Sequence, residues 1–92
     1  MTPSAAADLA REALIFLADR PEMLGRFLAE TGADAATLRQ AAADPGTLGF
    51  VLDFLLGDEA LVREFAAQAG IDPAMPAQAR AALPGGTLPN WT

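Results

Sequence analysis

Apolar residues recur at intervals of three and four along most of the chain, which is the spacing of one face of an α-helix. The broadest apolar face lies in segment 45–56 and consists of Leu48, Val51, Leu52 and Leu55. Segment 59–69 carries a narrower stripe made of Leu61, Val62, Phe65, Ala66 and Ala69. The pattern predicts an all-α protein, a compact bundle of short helices with segment 45–56 as its central helix.

Aspartate and glycine residues divide this pattern into about six predicted helices. Aspartate is a preferred N-cap residue, and the predicted caps are Asp19, Asp34, Asp44, Asp58 and Asp72. The first of these opens an Asp-x-x-Glu capping box, and the third and fifth precede a proline. Left-handed glycine commonly ends a helix, a role predicted for Gly32, Gly57 and Gly70. The predicted helices cover 4–18, 20–31, 35–42, 45–56, 59–69 and 73–82.

The sequence resembles itself at an offset of 38 residues, when segment 14–43 is superposed on segment 52–81. The shared spacing is Phe-x4-Gly-x-Asp, which begins at Phe27 and again at Phe65. One explanation is a pseudo-repeat of two three-helix units. The other is that short capped helices in an alanine-rich chain resemble one another without any repeat, and the sequence leaves both open.

The composition removes most side-chain chemistry from consideration. The chain contains no Cys, His, Tyr or Lys, so thiol, imidazole and Schiff-base catalysis are unavailable. Its net charge of −6 would repel a phosphate backbone. No apolar stretch is long enough for a signal peptide or a membrane span. We therefore expect an acidic, cytoplasmic protein that is not an enzyme, holds no cofactor or metal, and binds neither nucleic acid nor membrane.

The length of 92 residues predicts a single helical domain spanning 1–92, with residues 1–3 as a disordered start. The run Pro84-Gly85-Gly86 cannot continue a helix, so 84–92 forms a non-helical tail. Trp91 is costly to leave in water, and we expect the tail to fold back over the core. The alternative is a tether that docks Trp91 into a partner.

One narrow strip on the predicted central helix is not apolar, because Gly49, Asp53 and Gly57 follow one another at steps of four. The strip either faces water or places Asp53 in a semi-buried position. In the second case its carboxylate would accept hydrogen bonds from an arginine or from a helix N-terminus. The candidate interaction residues are therefore Gly49, Asp53, Gly57 and Trp91.

Four segments carry a resemblance to a known family: Ala-Leu-Ile-Phe-Leu-Ala at 13–18, Leu-Gly-Arg-Phe-Leu-Ala-Glu-Thr-Gly at 24–32, Leu-Asp-Phe-Leu-Leu-Gly-Asp-Glu at 52–59 and Phe-Ala-Ala-Gln-Ala-Gly-Ile-Asp-Pro at 65–73. With them the sequence resembles, over nearly its whole length, the small helical bacterial family called domain of unknown function 3572. That family brings no reaction, ligand or catalytic residue. The resemblance therefore implies an all-helical single domain and leaves the activity open.

The leading functional hypothesis is a protein–protein interaction or adaptor module, which binds another helix or a signalling partner through an apolar groove near segments 45–56 and 59–69. A first alternative is a self-associating homodimer with C2 symmetry, which would cover the excess apolar arc of segment 45–56. A second is a carboxylate- and metal-dependent enzyme that uses Asp53, Asp58 and Glu59. A third is a DNA-binding helix-turn-helix, for which the chain offers no basic stripe.

Overall fold

Five α-helices and no strand make up the part of the chain that the computed structural model describes, which is residues 1–32, 34, 36, 40 and 43–83. The helices are α1 (Pro3–Ala18), α2 (Pro21–Thr31), α3 (Pro45–Leu56), α4 (Glu59–Ala69) and α5 (Met75–Ala82). The all-α prediction is confirmed. The predicted helix at 35–42 lies largely outside the described residues, and the predicted tail at 84–92 lies wholly outside them.

The first helix starts earlier than expected. Pro3 is its first residue, and the Oγ1 atom of Thr2 accepts a hydrogen bond from the amide of Ala5 at 3.1 Å. Proline suits this position because its φ angle is already helical and it has no amide proton to leave unpaired. Residues 2 and 3, expected within a disordered start, therefore form the cap and the first residue of α1.

Two of the predicted aspartate caps are confirmed, at the N-termini of α3 and α4. The Oδ1 atom of Asp44 accepts from the amide of Gly46 at 3.2 Å, which caps α3. The Oδ1 atom of Asp58 accepts from the amide of Leu61 at 3.2 Å, which caps α4. Each bond satisfies one of the amides that have no carbonyl partner in the first turn of a helix.

Two other predicted caps are wrong in detail. Asp19 ends α1, and the N-cap of α2 is Arg20, which makes no capping hydrogen bond with its side chain. The reason is that only two residues separate these helices, so the capping-box position is already used by the end of α1. The carboxylate of Asp72 accepts from the amide of Ala74 at 2.8 Å, within a turn that precedes the start of α5 at Met75.

Of the three predicted left-handed glycine caps, two are confirmed and one is wrong. Gly32 and Gly70 end α2 and α4 with positive φ angles, as predicted. Gly57 has a φ angle of −75° and is right-handed, which corrects the third predicted left-handed cap. The chain reaches the N-cap of α4 at the very next residue, so no left-handed reversal fits between α3 and α4.

The core lies where α1, α3 and α5 pack against one another. The predicted central helix is confirmed, because its whole predicted face is fully buried, namely Leu48, Val51, Leu52 and Leu55. The facing side of α1 buries three alanines spaced by four and three residues, Ala6, Ala10 and Ala13. These small side chains let the neighbouring helices approach closely and fill the interior at high density.

The 38-residue offset is visible in the fold as well as in the sequence. Adding 38 to the residue numbers of α2 gives those of α4, from the first residue to the last. Phe16 packs edge-to-face on Phe65 with ring centroids 5.3 Å apart, and Phe27 packs on Phe54 in the same way at 5.4 Å. At this offset Phe16 corresponds to Phe54, and Phe27 corresponds to Phe65. Each aromatic pair therefore consists of the counterparts of the two residues in the other pair. This exchange agrees with a pseudo-repeat, but the third helix of the first predicted unit lies largely outside the described residues, so the pseudo-repeat stays a prediction.

Candidate functional site

Gly49, Asp53 and Gly57, the candidate interaction residues that the structure describes, differ in exposure along α3. Gly49 is buried on α3, Asp53 is about half exposed, and Gly57 is exposed at the end of the helix. Trp91 lies outside the described residues. The strip of small and acidic positions is therefore divided by the packing, and its role in binding stays a prediction.

Asp53 is held by an arginine, which is the second of the two arrangements that the sequence left open. The Nε and Nη2 atoms of Arg80 donate to its two carboxylate oxygens at 2.6 Å and 3.1 Å. The arginine side chain is only 15% exposed, whereas the aspartate side chain is 49% exposed. This two-pronged ion pair ties α3 to α5 and gives Asp53 a structural role.

Asp53 and Gly57 do share a small notch with Arg26 and Phe54, on the side of α3 that faces α2. The guanidinium of Arg26 lies 5.9 Å from the centre of the Phe54 ring. The volume of the notch is about 120 Å³. Small-molecule sites commonly occupy roughly 300–1,000 Å³, so the notch is too small to be one.

A larger depression, the acidic groove, lies between the α1–α2 turn and the beginning of α4. Its volume is about 500 Å³. The residues that define it are Asp19, Arg20 and Glu22 from the turn and the start of α2, and Asp58, Leu61 and Glu64 from α4. Helices α2 and α4 both begin here, and aspartate and glutamate are favoured at helix starts. Local capping chemistry thus accounts for part of the negative charge of the groove.

Beside the groove lies a second depression of about 190 Å³, the Ile15 pocket. Ile15 is 63% exposed on α1. The buried rings of Phe16 and Phe65 form the apolar part of the pocket, and Glu12 and Gln68 form its polar part. Sequence reasoning missed this site, because Ile15 sits inside the unbroken apolar run 13–18 with no polar neighbour to indicate which side faces solvent.

Arg20 connects the two depressions, because it lines the acidic groove and contacts two residues of the Ile15 pocket, Phe16 and Gln68. Its guanidinium lies 3.7 Å from the centre of the Phe16 ring and donates to the carbonyl oxygen of the same residue at 3.2 Å. It also donates to Gln68 at 3.2 Å and to the carboxylate of Glu64 at 3.4 Å. The groove and the pocket therefore follow each other along the junction of α1 and α4, and together they are called the seam surface below.

The charges of the seam surface are mostly negative. The described residues that line the acidic groove include four carboxylates and a single arginine, and the Ile15 pocket adds Glu12. Within the described residues no group of three acidic side chains is arranged to hold a metal ion. In the same part of the chain no helix is both long and apolar enough to cross a membrane.

Comparison with known proteins places the chain in a family. A family model described as "Protein of unknown function (DUF3572)" matches residues 3–86. No curated protein and no solved structure matches the chain. The matched range covers every helix described above, including both depressions of the seam surface, and it confirms the resemblance seen in the four sequence segments. The chain belongs to the DUF3572 family of proteins of unknown function.

Proposed function

We propose that this protein is a protein–protein interaction module and that the seam surface is its binding site. The observation that carries the proposal is Ile15, a large aliphatic side chain that is 63% exposed at the mouth of an open pocket. Rings of two buried phenylalanines lie against the same pocket. Apolar groups surrounded by a polar rim are the arrangement found in protein–protein interfaces.

The chemistry of the lining supports binding over catalysis. The seam surface presents carboxylates, one glutamine, one engaged arginine and apolar groups. Nucleophiles and bases such as Cys, His, Lys and Tyr do not occur in the sequence. The proposed site also uses α4, one of the two helices that the sequence indicated for an interaction groove, but α1 takes the place of α3.

A matched pair of surface variants tests the proposal. Ile15→Asp introduces a charge into the proposed contact, and Phe50→Asp introduces the same charge at another exposed apolar residue, 57% exposed on α3. Full-length wild type and both variants are used to capture proteins from the cell that expresses the chain, and captured proteins are quantified by mass spectrometry. We expect at least one protein to be lost with Ile15→Asp and retained with Phe50→Asp. Equal capture by wild type and Ile15→Asp would overturn the proposal.

A second candidate function is self-association through α3, and the exposure of Phe50 favours it. A second copy would cover the part of the apolar arc that the fold leaves in water. Sedimentation equilibrium at about micromolar concentration should then give a dimer for wild type and a monomer for Phe50→Ser. A wild-type monomer would exclude this candidate.

A further inference from the structure

The seam surface combines apolar groups with an excess of carboxylates. Resting on the function proposed above, we infer that it receives a basic amphipathic helix, with an apolar residue against Ile15 and Lys or Arg side chains over the acidic groove. Three features of this surface favour such a partner: an exposed apolar side chain, a neighbouring groove of about 500 Å³, and an excess of carboxylates around both.

The anchor is flanked by acids along its own helix. Glu12, Ile15 and Asp19 are separated by three and four residues, so they lie along one side of α1. At a rise of about 1.5 Å per residue, the backbone positions of Glu12 and Asp19 are roughly 10 Å apart along the axis of α1. A partner helix that places one apolar residue on Ile15 would therefore bring residues about one turn away on either side close to an acid.

The acidic groove continues this pattern beyond the end of α1. Asp19 and Glu22 lie on one side of it, and Asp58 and Glu64 lie on the other. Among the described residues that line the groove, Arg20 is the only cation, and it is already engaged by Glu64, Gln68 and the ring of Phe16. Cations from a partner would be attracted to the remaining carboxylates, whereas an acidic peptide or a phosphate backbone would be repelled.

The direct test uses a synthetic probe. A fluorescent peptide of about 18 residues carries leucine at helical spacings of three and four and lysine on the flanking positions. Its control has the same leucines and replaces each lysine by glutamate. Fluorescence anisotropy with the full chain should show at least about tenfold tighter binding of the lysine peptide at low salt, and the difference should shrink as salt is raised. Equal affinities for the two peptides would overturn the inference.

Two double variants with the same net charge locate the binding. Asp19→Asn with Glu22→Gln removes two charges from the groove, and Glu30→Gln with Glu59→Gln removes two exposed charges elsewhere. We expect the first pair to weaken lysine-peptide binding by about fivefold or more and the second to change it less than about twofold. Equal weakening by both pairs would mean that net charge alone attracts the peptide, which would also overturn the inference.

Failure of the inference and failure of the proposed function give different results. If Ile15→Asp abolishes capture of a cellular partner but the lysine peptide shows no preference over the glutamate peptide, the surface binds a protein of another charge. If Ile15→Asp leaves capture unchanged, the proposed function itself is wrong. Circular dichroism of every variant checks that the helices are intact.

Discussion

Gly32 and Gly70 end α2 and α4 in the same left-handed conformation, with φ angles of +73° and +72°. In each case the glycine amide donates to the carbonyl oxygen four residues earlier. The two glycines stand 38 residues apart, at the offset that also exchanges the two aromatic pairs. The internal similarity therefore extends from residue type to backbone conformation and to packing.

The glycine ends predict a graded mutational series. Gly32→Ala and Gly70→Ala should each lower the free energy of unfolding by about 1–2 kcal/mol, because a Cβ is strained in the left-handed region. Apart from the chain neighbours of each glycine, no atom of the described residues lies within 4 Å of either new Cβ, so the cost comes from the backbone. Gly57→Ala, at a φ angle of −75°, should change stability by less than about 0.5 kcal/mol. Urea denaturation measures all three, and an equal loss at Gly57 would contradict the assignment.

The Asp53–Arg80 ion pair should contribute measurable coupling. A double-mutant cycle with Asp53→Ala and Arg80→Ala is expected to give about 1 kcal/mol, because the two-pronged geometry and the mostly buried arginine limit solvent screening. Glu59 and Arg63 form the control, a single contact of 3.6 Å between well-exposed side chains. Their cycle should give about 0–0.5 kcal/mol. A larger value for the control pair would show that geometry and burial do not decide the coupling here.

Replacement of Phe65 and of Phe54 by alanine should cost different amounts of stability, because the two rings differ in burial. Phe65 is 2% exposed, so Phe65→Ala should destabilise the protein by about 3–5 kcal/mol. Phe54 is only partly buried, so Phe54→Ala should cost about half as much. Thermal or urea unfolding decides between unequal and equal losses. A near-wild-type Phe65→Ala would show that the Phe16–Phe65 contact is not part of the core.

Asp44 should make the free energy of unfolding depend on pH in the acidic range. Its pKa is lowered from the ordinary value of 3.8, mainly by the hydrogen bond from the Thr47 hydroxyl and then by that from the Gly46 amide. The ionised Asp44 carboxylate stabilises the folded protein fully at a pH above its ordinary pKa. This stabilisation is lost as the pH falls through the lowered pKa of the folded state. The difference in unfolding free energy between wild type and Asp44→Asn should therefore be constant near neutral pH and shrink in acid. In a Thr47→Val background the shrinkage should be smaller, and a pH-independent difference would contradict the assignment.

The tail prediction concerns Trp91, the single tryptophan of the chain. If it packs on the helices, its fluorescence emission should be blue-shifted in the isolated protein, and deletion of 84–92 should lower stability by about 1–3 kcal/mol. Emission typical of solvated indole, together with unchanged stability after deletion, would instead support a docking tether. Steady-state fluorescence with an added quencher distinguishes the two.

Local structure could be predicted from the sequence to a large extent. Each end of the helices at 45–56 and 59–69 is set by groups within four residues, such as the Asp44 carboxylate and the Gly46 amide. The same is true of the left-handed glycines. The local predictions are wrong at Asp19 and Gly57. At both places only two residues separate the end of one helix from the start of the next, and residue propensity alone does not decide which of the two helices a linking residue caps.

The position of the candidate site depended on tertiary packing. Arg20 meets Glu64 across 44 residues and Arg80 meets Asp53 across 27, and neither spacing follows a helical or cap rule. Periodicity identifies an apolar run around Ile15, but burial of each residue depends on which helices pack against α1. Because α5 and α3 cover the alanine face of α1, Ile15 is left in water beside α4, and the surface proposed for binding follows from that arrangement.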